Sequence, residues 1–573
     1  MKKEFFIVVL LLIFIFGSGL YYAVTNSVTA DEKTHIATGY INLKFNDFSF
    51  NIEHPPFMKQ VSALPLLFMN LQFPDKVYEE SSKGMDIVNI QNAFLFGMGN
   101  NLDKILILSR LPNMLISMML GLFIYLYSRK ANGMFAGIIS LTLFIFSPSF
   151  LAHSPLVTMD IAISCFYFAA VYFLMRYFKD NNIKLLTLAA LFIGFTLISK
   201  YSGLILLPVV YMLVLLRAFD KDYMELKLSR WVMILAVPAI IFVVSYKLSL
   251  RIIAPAFLLY ATSYIFIKKP VISQRLRSSG KILIFLLVIG FLMVILDYTD
   301  YSWFPFHSAT KAYFKGLAYF AGHAREGHLS YLLGDYSKTG WWYYFPLAIL
   351  FKTPFASVVL IVLGFVGLFR SKEGINSKAF LLIPLFAYFF AACFINKVNI
   401  GIRHILPVYP FLFVIAGYVV KLSIDTIKAK AIKVIVIAFL LVSVMDSLAA
   451  YPAHLSYFNC VTGGCKQGDK YLGDSNIAWG QDYKRLRGYI DENNIEYVNM
   501  LVTFKPNNIY GIAERQIPEK EKRIPRKGYY VIDGIVRQKE ILAWTENVEP
   551  RDYVGSLIIY EIDNEDIERI RNK

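Results

Sequence analysis

The sequence predicts an all-α polytopic membrane protein with about thirteen transmembrane helices and a small extracytoplasmic α/β domain at the C-terminal end. Three observations lead there. Of 573 residues, 57% are hydrophobic and only 17% charged, which is too apolar for an ordinary soluble chain. Apolar runs approach the roughly 20 residues that cross a bilayer. The basic residues gather in the segments between those runs, on alternating sides, as expected of loops that set membrane orientation.

The runs are Phe5–Val24, Ile107–Tyr127, Met134–Leu151, Thr158–Phe178, Leu185–Lys200, Gly203–Leu216, Trp231–Leu248, Ile252–Ile267, Ile282–Leu296, Tyr343–Phe369, Ala379–Ile395, Ile405–Val420 and Ile432–Ala449. With the N-terminus in the cytoplasm, the inner segments hold Lys2 and Lys3, Arg129 and Lys130, Lys179 and Lys184, Arg217 to Arg230, Lys268 to Lys281, Arg370 to Lys378, and Lys421 to Lys433. Every one is basic, so the order is consistent through all thirteen crossings. A cleaved signal peptide ending at Val28-Thr29-Ala30 competes for the first run, but that run is longer than a typical signal core.

Three outer segments are distinctive. The first, residues 25–106, contains acids, a His-Pro-Pro and apolar stretches too short to span, such as Phe57–Phe68, which suit helices lying at the membrane interface. The second, Asp297 to Trp342, is rich in Tyr, Trp, Phe, His and Gly. The third is the tail after residue 450. Residues 1–450 are therefore expected to form the membrane domain, and residues 451–573 a separate outer domain. In that domain Asp482–Ile490 reads as a helix, and Val498–Phe504, Tyr529–Ile532 and Ser556–Ile562 as strands.

The net charge of +17 raises the question of nucleic acid, but the cations lie in loops between spans rather than on one face, and nucleic-acid binding is set aside. Four cysteines are too few for a disulfide scaffold. Cys165 and Cys393 lie inside apolar runs. Cys460 and Cys465 fall in an outer, oxidising setting where a short-loop disulfide between them is possible. Their spacing alone is a weak zinc signal, and the outer histidines His153, His307, His323, His328 and His404 lack ligand spacing, so no metal site is assigned.

Charges at the outer ends of the spans carry the functional information, because ions next to hydrocarbon are costly without a purpose. Asp31 and Glu32 follow the first span. His54-Pro55-Pro56-Phe57-Met58-Lys59 places Lys59 about one turn into an interfacial helix, since proline is tolerated where a helix begins. Arg110 begins the second span, Asp160 the fourth. Lys200 fills the turn between the fifth and sixth, and Arg403 precedes the twelfth. Lys59, Arg110, Lys200 and Arg403 on one face can neutralise a phosphate at headgroup level, and a carboxylate beside them can take a proton from an attacking hydroxyl. The local alternatives are ordinary ones: Asp31 as a cap or a partner of Lys33, Asp160 as a helix-start acid, Lys59 as an interface anchor. Asp482 in the Trp-Gly-Gln-Asp sequence reads as a helix-start residue.

The acidic pair Asp31-Glu32 followed by HPPFMK resembles the first outer loop of the protein O-mannosyltransferases. The layout of spans, juxtamembrane helices and outer C-terminal domain resembles the lipid A aminoarabinose transferases, although those carry a lysine before the double proline where this chain has His54. SPSFLAHSPLVTMD around Asp160, ISKYSGLILLP around Lys200, GWWYYFPLAILFKTP at Gly340–Pro354 and GIRHILPVYP at Gly401–Pro410 add to the resemblance, and YLGDSNIAWGQDYKRL at Tyr471–Leu486 is similar to a stretch in other prokaryotic members. Together they cover most of the chain.

The resemblance implies a GT-C fold and an inverting glycosyltransferase that uses a polyprenyl-phosphate sugar as donor and a hydroxyl of a protein, lipid or glycan as acceptor. It implies Asp31 as the base or orienter of the acceptor, supported by Glu32. His54 and Lys59 would lie at the donor phosphate, with Arg110 and Arg403 as further contributors. Membrane lipids are the surroundings, and no cofactor is called for, although a divalent cation is compatible with the chemistry. The expected setting is the plasma membrane of a bacterium or archaeon. A transporter or flippase of a lipid-linked sugar is the alternative; it predicts inverted repeats and charges at mid-membrane depth.

Overall fold

The computed structural model describes residues 2–82, 86–218, 280–286, 288, 306–422, 426–505, 510–515 and 517–572. The expected spans Trp231–Leu248 and Ile252–Ile267, and most of Ile282–Leu296, lie outside the described residues. The other ten apolar runs are all helical. Six form helices long and apolar enough to cross a membrane: Lys3–Thr25, Leu102–Asn132, Asp160–Asp180, Ile375–Ile395, Ile402–Leu422 and Lys430–Ala449. Three are shorter apolar helices: Met134–Ile145, Ile183–Ser199 and Tyr201–Arg217. The chain is a multi-pass membrane protein.

The run Tyr343–Phe369, expected as one span, is two helices, Tyr344–Lys352 and Phe355–Arg370, bent by 117°. Pro354 stands between them. Proline cannot donate a backbone hydrogen bond and blocks the helical conformation of the residue before it. The carbonyls released at the break are taken up from elsewhere. Asn459 donates its side-chain amide to the carbonyls of Leu350 (2.5 Å) and Thr353 (2.7 Å), and its backbone N–H to that of Phe351 (2.9 Å). The bend is thus stabilised by a residue 105 positions downstream.

The two ends of the helices are chemically separate. At one end Glu4 meets Arg129 at 2.5 Å, Lys130 meets Asp180 at 3.4 Å, and the Tyr418 hydroxyl donates to Glu373 at 2.8 Å. These residues all flank segments expected to be cytoplasmic. At the opposite end lie residues 26–32, 153–160, 200 and 403, where the candidate site forms.

The loop between the first two spans folds into short helices around its own apolar cluster, with Ile36, Tyr40, Phe50, Phe73, Phe94 and Leu106 buried together. The stretch Phe57–Phe68 is helical as expected, in the pieces Phe57–Ala63 and Leu64–Phe68. The longest helix of the loop, Ala30–Phe45, has no apolar periodicity strong enough to announce it. A capping box starts it: Glu32 reaches back to the Thr29 backbone N–H at 2.9 Å, satisfying a donor that the helix itself leaves free.

Within residues 306–422, β1 (Ser330–Leu332) and β2 (Asp335–Ser337) form a small antiparallel hairpin. The tail carries a five-stranded mixed sheet built from β3 (Val498–Leu501), β4 (Glu514–Arg515), β5 (Gly528–Asp533), β6 (Asp552–Val554) and β7 (Leu557–Ile562), in the order β4-β3-β5-β7-β6. The three expected strands are its centre, and the helix expected over Asp482–Ile490 runs Tyr483–Glu492. Alternation along the strands builds both faces: Val531 and Ile559 pack with Leu486 and Ile490, whereas Tyr530, Ile532, Ile558 and Tyr560 pack around Trp544. The stretch between the last long helix and this sheet is different. Phe458, Leu472, Ile477 and Ala478 belong to the same apolar core as the membrane helices, so this stretch packs against the helical body.

Candidate active site

Glu32 and Arg110 are both wholly buried. They form a bidentate pair, Arg110 Nε to Oε1 at 2.8 Å and Nη2 to Oε2 at 2.7 Å. Glu32 also accepts from the backbone N–H of Val157 at 3.0 Å. Arg110 donates further to the carbonyls of Ala23 (3.2 Å), Asn26 (3.3 Å) and Ser27 (2.8 Å). Burial alone raises a carboxyl pKa, but the Arg110 charge and these hydrogen bonds together hold Glu32 below its ordinary value. The pair thereby ties the end of the first span, the second span and the turn before the fourth into one joint. Neither side chain has a surface open to a ligand.

Asp31, one residue earlier, points elsewhere. Its Oδ2 accepts from Arg403 Nη1 at 3.0 Å, and its side chain is 33% exposed against 2% for Asp160. The same Arg403 nitrogen lies 4.0 Å from Asp160 Oδ2, and Asp160 Oδ1 accepts from Lys200 Nζ at 2.7 Å. The result is a line of alternating charge, Asp31–Arg403–Asp160–Lys200, drawn from four distant parts of the chain. Local structure explains each position. Asp31 sits in the first turn of Ala30–Phe45, and Asp160 opens the helix Asp160–Asp180, where the helix dipole favours an acid. Lys200 leaves the helix Ile183–Ser199 in an extended conformation (φ −154°, ψ 139°). Arg403 lies in the tight turn Ile402–Val408, whose Ile402 N–H donates to Asn476 Oδ1 at 3.0 Å. Asp160 Oδ2, Arg403 Nε, and ring nitrogens of His54, His153 and His404 are buried without hydrogen-bond partners among the described residues. Buried polar atoms are normally satisfied, so this group of unpartnered atoms makes the place a candidate for engaging a ligand.

His54 and Lys59 line a second, adjoining part. Lys59 is buried and donates to the Asn51 carbonyl at 2.7 Å. The His54 ring lies 5.8 Å from that of His35, and His54 is within electrostatic reach of Lys200, Lys59 and Asp160. Burial, then Lys200 and the neighbouring His35 and Lys59, push His54 well below the usual histidine value; burial also lowers His35. A small opening here is lined by Asn42, Phe50, Asn51, His54 and Lys59. Gly39 lets the two loop helices meet: a Cβ there would run into the Lys59 backbone carbonyl.

The structure therefore brings Asp31, His54, Lys59, Asp160, Lys200 and Arg403 together, and places Glu32 and Arg110 behind them. Sequence reasoning missed several neighbours. Trp479 lies under the Arg403 guanidinium at 4.3 Å. Asp474 is held near Arg403 and Asp31 in a left-handed conformation (φ 55°), and burial raises its carboxyl pKa. Asn476 joins the Arg403 turn to the Tyr344 hydroxyl, to which it donates at 2.9 Å. The only signal was the run Tyr471–Leu486, which carried no mechanism of its own. Lys33 does not pair with Asp31, and Asp482 accepts from the Ser556 N–H at 2.8 Å as a local structural acid.

The disulfide considered for Cys460 and Cys465 is not formed: both thiols are free and exposed. Each cysteine opens its own tight turn, Cys460–Thr462 and Cys465–Lys470, on either side of a Gly463-Gly464 reversal. Among the described residues no three His, Cys, Asp or Glu side chains are grouped as a metal site.

Residues 95–246 match the model of the family described as dolichyl-phosphate-mannose-protein mannosyltransferase. Arg110, Asp160 and Lys200 fall inside that stretch; Asp31, Lys59 and Arg403 lie outside it. No curated protein matches the chain. Among solved structures, ArnT from Cupriavidus metallidurans bound to undecaprenyl phosphate is similar at 12% identity and a TM-score of 0.44, over 96% of this chain and 97% of that one. The archaeal oligosaccharyltransferase AglB from Archaeoglobus fulgidus, in complex with an inhibitory peptide and a dolichol-phosphate, aligns at 12% identity and a TM-score of 0.46, covering 98% and 74%. The S. cerevisiae protein O-mannosyltransferase Pmt1-Pmt2 complex bound to the sugar donor aligns at 18% identity and a TM-score of 0.33, covering 52% and 33%. The chain resembles the protein O-mannosyltransferases over the matched stretch.

Proposed function

We propose that this protein is an inverting glycosyltransferase that moves a sugar from a polyprenyl-phosphate carrier to a hydroxyl acceptor at the extracytoplasmic face of the membrane. One observation carries the reading: Asp31 is the accessible carboxylate of the Asp31–Arg403–Asp160–Lys200 line, whose Asp160–Lys200 end lies within electrostatic reach of His54, as does Lys59. The family match over residues 95–246 supports a mannosyltransferase-like activity.

In this scheme the acceptor hydroxyl binds at Asp31. Its oxygen attacks the anomeric carbon while the bond from that carbon to the phosphate oxygen breaks. The hydroxyl proton passes to Asp31, and the electron pair leaves with the polyprenyl phosphate. A phosphate is a good leaving group once cations face it, so Lys59 and Arg403 serve in place of a strong general acid. In-line attack by a single step inverts the anomeric centre. Asp160 and Lys200 hold Arg403 between the two substrates. Glu32 and Arg110 act as positioning groups, fixing the helix start that presents Asp31. Donor and acceptor meet where headgroups meet water, which accounts for a site at the helix ends.

The test is mass spectrometry of glycolipids, glycans and glycoproteins from cells with the gene, without it, and with Asp31→Asn in its place. A glycoconjugate lost on deletion and not restored by Asp31→Asn is the expected result. Full restoration by that variant would remove Asp31 from the reaction, and an unchanged glycoconjugate profile on deletion would remove the transferase reading itself.

A further inference from the structure

The run Tyr471–Leu486 is unused by the mechanism above, yet it passes directly behind the reacting groups. Trp479 is 2% exposed and its ring lies 4.3 Å from the Arg403 guanidinium carbon, within the range of a cation–π contact. The Trp479 carbonyl accepts from the Ala30 N–H at 3.0 Å, and the Gln481 carbonyl from the Ser27 N–H at 3.0 Å. These donors belong to the turn that delivers Asp31. Ser27 Oγ in turn accepts from the Lys484 N–H at 2.8 Å, and Arg485 donates to Asn26 Oδ1 at 2.8 Å. Trp479 thus contacts Arg403 through its ring and, through its backbone, Ala30, the residue before Asp31.

The geometry points to Trp479 as a positioning residue for the transfer reaction, aligning Arg403 against Asp31 from the C-terminal segment. This rests on the function proposed above. The indole shields one face of the guanidinium, which leaves Arg403 its edge for Asp31 and, in the scheme above, for the donor phosphate. The segment is itself anchored in two directions. Gln481 Nε2 donates to Ser556 Oγ at 3.1 Å and the Ser556 N–H donates to Asp482 at 2.8 Å, which links it to the start of β7. Lys352 Nζ donates to the carbonyls of Leu455 (2.8 Å) and Asn476 (2.7 Å), which links it to the bent helix pair. The tail therefore contributes to the reaction centre.

The experiment uses the full-length protein, expressed in cells lacking the gene, with the glycoconjugate identified above as readout and the membrane level of each variant measured alongside. Trp479→Phe keeps an aromatic face; Trp479→Leu keeps apolar volume without one. The expected result is product formation within about threefold of the parent for Phe and a loss of at least tenfold for Leu, at equal protein levels and equal melting temperature in detergent. In the Arg403→Ala background, Trp479→Leu should add no further loss, because the ring acts through the guanidinium. Equal activity of the Phe and Leu variants would overturn the proposal, as would multiplicative losses in the double variant. If Trp479→Leu fails to accumulate, the Phe variant decides: a tenfold loss with normal accumulation also overturns it. Normal activity of Asp31→Asn, by contrast, would remove the parent reading whatever Trp479 does.

Discussion

Asp31 and Glu32 are neighbours in one helical turn, and their surroundings are opposite. Glu32 is sealed with Arg110 under six further hydrogen bonds to the two side chains, and the assembly joins three parts of the chain. Among the described residues Asp31 makes one ion pair, with Arg403, and it keeps a third of its side chain exposed. A buried ion pair with every lone pair satisfied fixes geometry. A partly open carboxylate held by one arginine is free to exchange that contact for a substrate. The comparison teaches that a charge can serve this site in two ways, by holding the backbone still or by meeting the reactants, and that adjacent positions of one helical turn take the two roles.

The largest expected effect breaks the sealed side. Arg110→Met leaves Glu32 buried and uncompensated, a cost of about 3–5 kcal/mol, so folded protein and turnover should be lost together, as read by thermal unfolding in detergent. Wild-type melting behaviour for that variant would place Arg110 outside the joint. On the open side, Asp31→Asn should lower turnover by about 10²–10⁴-fold, the usual contribution of a general base, with the melting temperature essentially unmoved. A matching fall in stability would make Asp31 a structural residue like its neighbour.

A smaller effect is expected where the two loop helices touch. Gly39→Ala sets a methyl group against the Lys59 carbonyl, which is backbone and cannot turn aside. The helices must separate at a cost of about 1–3 kcal/mol, and turnover should fall because Lys59 and His54 move relative to Asp31. Unchanged melting and turnover would mean that this packing does not set the site.

The smallest is a pH effect. His35 and His54 are depressed by burial in the folded protein, from an ordinary value of 6.5. The unfolded chain therefore binds more protons once pH falls below that value. Their contribution to stability is complete above about pH 6.5 and declines as the solution is acidified toward the folded values. His54→Gln should flatten this part of the curve of melting temperature against pH. An identical curve for that variant would assign the acid sensitivity elsewhere.

Much of this was legible in the chain itself. Long apolar runs have few ways to satisfy their backbone in lipid other than as helices, and all ten described runs are helical. The alternating basic loops placed Asp31, Asp160, Lys200 and Arg403 at one end, and their convergence follows from that topology. Strand alternation located the centre of the five-stranded sheet in the tail for the same local reason.

Other features were decided only by tertiary contact. The run Tyr343–Phe369 reads as one span; its 117° bend before Pro354 is held by Asn459, and no local pattern relates those two places. Arg110 read as a substrate cation because its charge is visible and its partner, 78 positions away, is not. The division between Asp31 and Glu32 depends on which direction each side chain leaves a helix that only a capping box announces. Trp479 beneath Arg403 is a contact across sequence distance, and periodicity records no such contact. Sequence by itself determines which segments enter the membrane and which charges stay at its edge, because burial in lipid acts on each segment alone. Which of those charges are locked and which remain open depends on partners that meet only in the folded chain.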